Sequence, residues 1–140
     1  MEYKKTGAQI ALRLDPGEEI VSSLTELART LSLQAGSVVG LGASNDVTLG
    51  IFSVADKEYS SVRYQGDFEI ASLLGSFSRK DGEPYLHLHM TIGNPREGSV
   101  HCGHLNRAVV SATCELFITE FPAPLHRRFD PEIGLNLLQF

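Results

Sequence analysis

Basic residues, cysteines and long apolar runs are all scarce in this chain, and each scarcity removes a class of protein. Twelve Lys and Arg face seventeen Asp and Glu, a formal charge of −5. That is the wrong sign for a chain whose affinity would come from neutralising phosphates, so direct nucleic-acid binding is not expected. Two cysteines, Cys102 and Cys114, are too few for a disulfide framework, which points to a reducing compartment. No apolar run approaches the roughly 18 residues of a membrane span. The first nine residues contain neither an apolar h-region nor a cleavage site. A cytoplasmic protein without membrane contact is the expectation. Repeats, low-complexity tracts and Pro/Ser linkers are missing too. What is present, 140 residues of which 42% are hydrophobic and 21% charged, is ordinary globular composition, excluding disorder, collagen and coiled coil. The length suits one domain over residues 1–140.

Ile10, Leu12 and Leu14 alternate with Ala11, Arg13 and Asp15, the period of a half-buried strand. Asp15-Pro16-Gly17-Glu18 then resembles a capping box, with Asp15 as N-cap, Pro16 at N1 and Glu18 at N3. Ile20, Leu24, Leu27, Ala28 and Leu31 continue at helical spacing, and Gly36 is the expected stop. Strands are expected at Ser37–Ala43, Val47–Val54, Tyr59–Tyr64, Phe68–Phe77 and Tyr85–Ile92, separated by Gly, Asn and Asp turns. The β-branched alternation of Val110, Ala112, Cys114, Leu116 and Ile118 favours one more strand. Pro122, Pro124 and Pro131 predict an irregular tail up to a short terminal strand at Leu135–Phe140. The expected fold class is α+β, a mainly antiparallel sheet with one principal helix packed on it.

Four of the five histidines, His87, His89, His101 and His104, fall in one window. On a strand, His87 and His89 share a face, about 7 Å apart at Cα, and can converge on one ion. A third imidazole would come from His101-Cys102-Gly103-His104, after the turn around Gly93–Gly98. Three imidazoles leave a coordination position open, as in a catalytic or ligand-accepting Zn²⁺ site, although Fe²⁺, Ni²⁺ and Co²⁺ suit the same donors. Cys102 is read as a buried, inert thiol, and His126 as a surface residue of the tail.

The run Gly66-Asp67-Phe68-Glu69-Ile70-Ala71-Ser72-Leu73-Leu74-Gly75-Ser76-Phe77 resembles Gly-Arg-Phe-Glu-Ile-Leu-Ser-Leu-Ser-Gly-Ser-Phe, a signature of the PPC (PCC) domain. That domain follows AT-hooks in plant nuclear proteins and stands alone in bacteria and archaea. Leu12-Arg13-Leu14 with Gly17-Glu18-Glu19-Ile20 is similar to the family's opening strand and helix start, and Gly36–Ala43 to its second strand. His87-x-His89 with Gly103-His104-Leu105 resembles the prokaryotic His-x-His and Gly-Gly-His-Leu pair. Cys102 stands where the first Gly of Gly-Gly-His is usual, and Asp67 where an Arg is usual. The resemblance implies an α+β fold, a homotrimer, and a metal held by His87, His89 and His104. His101 has no place in the pattern. The family carries a DNA-binding label from its plant members, whose Arg-Gly-Arg-Pro hook enters the A·T minor groove. This chain has no such segment, and Arg127-Arg128 reads as a surface tail.

Two functions follow as expectations. One is a homotrimeric module with one divalent metal per chain, zinc first among the candidates, that binds a small-molecule ligand or regulates. The other is a small metal-dependent enzyme, a hydrolase or lyase, with its site between subunits. Its candidate base is Glu115, which shares a polar strand face with Ser111 and Thr113, whereas Glu69 reads as a structural partner.

Overall fold

The computed structural model describes residues 1–140. Strand β1 (Glu2–Thr6) pairs antiparallel with β2 (Gln9–Leu14), in which Ile10, Leu12 and Leu14 are buried as their alternation predicts. Helix α1 (Ile20–Thr30) follows, and then four strands carry most of the chain: β3 (Gly36–Ser53), β4 (Glu58–Lys80), β5 (Glu83–Asn94) and β6 (Ser99–Glu120). The tail adds β7 (His126–Asp130) and β8 (Leu135–Gln139). All eight strands join one sheet, antiparallel apart from a single β4–β7 bridge. Within it β3 pairs β4, β4 pairs β5, β5 pairs β6 and β6 pairs β3, a closed ring of hydrogen bonding.

The expected α+β class with a principal helix is overturned. The chain is 69% strand and 8% helix, with one helix of 11 residues. Two expected turns are not turns, because residues tolerant of unusual backbone serve a bulge as well as a hairpin. Ser44–Asp46 is a register shift inside β3, and Gly66, at φ +142°, sits inside β4. Ser37–Ala43 and Val47–Val54 therefore merge up to Ser53, and Tyr59–Tyr64 merges with Phe68–Phe77. A further irregularity between Val110 and Cys114 turns Ala112 outward, out of phase with Cys114, Leu116 and Ile118. Strand β7 lies where irregular tail was expected.

The helix starts later than the capping-box pattern places it. Glu18 Oε2 does accept the Asp15 N–H at 2.7 Å, but the segment closes as a turn. The Gly17 N–H donates to Val110 O, and Val110 N–H donates to Glu18 O. These bonds to β6 commit the backbone, so Glu19 becomes the N-cap, accepting from Val21 and Ser22 and also from Ala108 of β6. The helix ends at Thr30 rather than near Gly36. Ser32 adopts φ +52°, and Leu33 N–H returns to Ala28 O, a Schellman closure with serine in the usual glycine place. Ile20, Leu24, Leu27 and Ala28 face β5 and β6 inside one cluster of 24 buried residues. Each buried Leu or Ile there contributes about 1.5–3 kcal/mol.

One ion-pair cluster ties three of the ring strands. Asp46 of β3 accepts two bonds from Arg63 of β4, at 2.7 and 2.8 Å, and one from Arg107 of β6 at 2.6 Å. The two guanidinium groups hold its carboxyl well below the usual carboxylate range. A lowered folded-state pKa stabilises above the unfolded pKa and stops doing so as pH falls through the folded one. The melting-temperature gap between wild type and Asp46→Asn is therefore expected to stay level from pH 8 to about pH 5 and to shrink below about pH 4. A gap that widens on acidification would contradict the assignment.

Candidate metal centre

The histidines are placed by strand register. His89 of β5 lies directly opposite His104 of β6, and His87 precedes His89 by two residues on the same face. On the other side of His104 the ring closes through Gly50 of β3. That closure needs glycine twice. A Cβ on Gly103 would stand 2.7 Å from Gly50 O, and one on Gly50 would collide with the Tyr59 hydroxyl. The tyrosine occupies the vacated space, 6.1 Å from the His104 ring, and its hydroxyl donates to Asn106 Oδ1. His104 thus sits within β6, paired on both sides. The first glycine of the motif is dispensable, since Cys102 is exposed, whereas Gly103 is not.

The ligand-capable nitrogens of His87, His89 and His104 lie within 4.8 Å of one another. The Nε2 atoms of His87 and His89 are 3.3 Å apart. Two imidazoles on one tetrahedral ion at about 2.0–2.1 Å place their nitrogens about 3.3 Å apart, so the donor set fits a divalent metal. Burial lowers the pKa of His87, with smaller contributions from the charges of Arg127, His104 and His89. Burial, then His89, lowers that of His104. Both effects favour the neutral imidazole that a metal requires.

The remaining candidates lie elsewhere. His101 points to the opposite face, stacked on Tyr64 with ring centroids 4.0 Å apart and edge-on to Phe68. Cys102 pairs in register with Thr91 and is exposed, correcting the expectation of a buried thiol. Cys114 is the buried thiol, its pKa pushed up to about 12 by burial and by Glu115. Glu115 pairs with Arg13 and Leu41, on the order of 30 Å along β6 from His104. Glu69 is exposed and makes no ion pair. His126 is exposed in β7.

What the motif reading did not show is a cavity of about 440 Å³ beside His87 and His104, walled on its far side by the tail. Its lining includes Tyr59, Tyr85 and Arg127 and no acidic residue. Leu135–Phe140 reads as a short terminal strand, but nothing local in the sequence says which part of the sheet that strand covers.

A family model, the Plants and Prokaryotes Conserved (PCC) domain, matches residues 1–122. The chain belongs to the PCC family. Solved PCC-like structures agree over almost the whole chain. A protein from Bacteroides thetaiotaomicron with a provisional DNA-binding name superposes with a TM-score of 0.95 at 30% identity, covering 99% of this chain and 96% of its own. A metal-containing protein from Archaeoglobus fulgidus gives 0.90 at 30% identity, covering 100% and 99%. A plant- and prokaryote-conserved protein from Pyrococcus horikoshii gives 0.86 at 28%, covering 99% and 94%. The bifunctional protein GlmU of a Synechococcus strain is 33% identical over 126 residues, 88% of this chain. The PCC chain spans only 18% of that curated relative's length. No helix of the structure is long and apolar enough to cross a membrane.

Proposed function

We propose that this PCC chain is a homotrimeric module that holds one divalent metal per chain, zinc first among the candidates, and receives a small ligand there. The observation that carries the reading is the convergence of His87, His89 and His104 nitrogens within 4.8 Å on adjacent strands. Three neutral imidazoles on a rigid sheet leave positions open for a ligand, and a bound ion would supply Lewis-acid attraction for an electron-rich ligand atom. The metal-containing archaeal relative supports it. Elemental analysis of protein purified without chelator or His tag tests it, with one equivalent per chain expected and none overturning it.

The trimer is supported by the face that carries the site. From His89 the register continues outward through Leu74, Val39 and Phe117. Those three side chains are 53%, 53% and 57% exposed. A contiguous apolar row of this kind gains stability when a second copy covers it. A hydrolase or lyase built on the same ion would need a base, and Glu115 could approach only from another subunit.

Autonomous DNA binding is not part of this reading. Of the twelve basic residues, Lys5, Arg13, Arg29, Arg63, Lys80 and Arg107 already pair with acids. Titration onto random and A·T-rich duplexes at two salt concentrations is expected to show no sub-micromolar complex. A·T-selective binding that weakens steeply with salt would reverse this conclusion.

A further inference from the structure

Arg127 stands in the wall of the cavity that His87 and His104 line, and no carboxylate balances its charge. Its Nε donates to Ser78 Oγ at 2.9 Å, one terminal nitrogen to Asn136 O at 2.8 Å, and the other to Ser76 Oγ at 3.5 Å. Tyr85 lies under it, with the ring centroid 5.0 Å from Cζ. All of these partners are neutral. They fix the guanidinium in place, half-buried, and leave one N–H on each terminal nitrogen without an acceptor. A fixed cation without an acid partner, in a cavity without acidic residues, attracts an anion.

The shape and the walls narrow the class. About 440 Å³ is within the range of about 300–1,000 Å³ typical of small-molecule sites. Phe52, Leu86, Leu135 and Leu137 make much of the lining apolar. A single planar guanidinium with two free N–H groups matches the fork and the single charge of a carboxylate. Arg127 and the β7–β8 wall lie in the tail, beyond the residues matched by the family model.

We propose that the cavity binds a small organic carboxylate, its anionic end between Arg127 and the histidine centre and its apolar body against Phe52, Leu135 and Leu137. This deepens the proposed function and rests on it for the metal's share of the binding, while the Arg127 contact stands without the metal.

Calorimetric titration of phenylacetate into the whole protein, metal-free and metal-loaded, tests the assignment. The metal-free protein is expected to bind phenylacetate at least tenfold more tightly than the neutral 2-phenylacetamide. Arg127→Gln should remove at least tenfold of the acid's affinity, equivalent to about 1.4 kcal/mol. Arg127→Lys should restore part of it, and metal loading should tighten the wild type. Metal content of Arg127→Gln should equal that of the wild type, which separates failure of this site from failure of the metal centre. Equal affinity for acid and amide overturns the proposal. So does an undiminished Arg127→Gln, inorganic phosphate binding more tightly than phenylacetate, or no binding by the wild type. Should Arg127→Gln fail to fold by circular dichroism, the acid-to-amide ratio in the wild type decides.

Discussion

Replacing His87 by alanine is expected to take the metal content from one equivalent per chain to none after dialysis, read by elemental analysis. The candidate group contains three donors, so losing one leaves two imidazoles and no substitute. Cys102 shares the strand face but is not among the converging ligands, and no acid lines the adjoining cavity. His89→Ala should behave alike. His101→Ala should not, because its ring is stacked on Tyr64 on the other face. A partly exposed strand histidine away from the core carries little folding energy, within about 0.5 kcal/mol. The His87→Ala chain is therefore expected to keep its fold. A His87→Ala protein that retains a full equivalent would refute the assignment, as would a His101→Ala protein that loses it.

Phe117→Asp is expected to reduce the mass in solution from about three times 15.3 kDa to 15.3 kDa, measured by light scattering at matched concentration. Phe117 ends the row that runs from the histidines through Leu74 and Val39, and it is 57% exposed in the single chain. Covering a phenyl ring contributes about 1.5–3 kcal/mol per copy, and placing a carboxylate in its stead adds a desolvation cost. Because Leu116 and Ile118 on either side point into the core, the substitution leaves the interior of each chain untouched. A wild type that is monomeric at all concentrations would remove the trimer and any site shared between subunits. A trimeric Phe117→Asp would place the contact on another face.

The histidine pair shows how much of the site is legible in the sequence. Alternation on a strand is a local property, so His87 and His89 could be put on one face from spacing alone. The third candidate donor is different. His101 and His104 are both close to His89 along the chain, and periodicity offered no way to choose, so the choice rested on the family resemblance. The β5–β6 register makes it physically, by setting His104 opposite His89 and His101 opposite the buried Ile92.

The sheet shows where local reading fails. Gly42, Asn45-Asp46 and Gly66 carry turn chemistry, and nothing nearby states whether a positive φ or a loose residue ends a strand or bends it. The closed pairing of β3, β4, β5 and β6 settles this, since a bulge lets a long strand curve and continue. The same holds at the helix start. Glu18 supplied the reciprocal contact of a capping box, but Val110 on a distant strand claimed the neighbouring backbone and moved the cap to Glu19.

By itself, then, the sequence determined whatever depends on neighbours along the chain: the buried stripe of β2, the helical face of α1, the shared side of His87 and His89, and an acidic overall charge. The tertiary structure alone decided the length of β3 and β4, the choice of His104 over His101, and the meeting of Arg127 with the histidine cavity. Each of these joins residues far apart in sequence, and the energy that selects them comes from strand pairing and packing that no local pattern encodes.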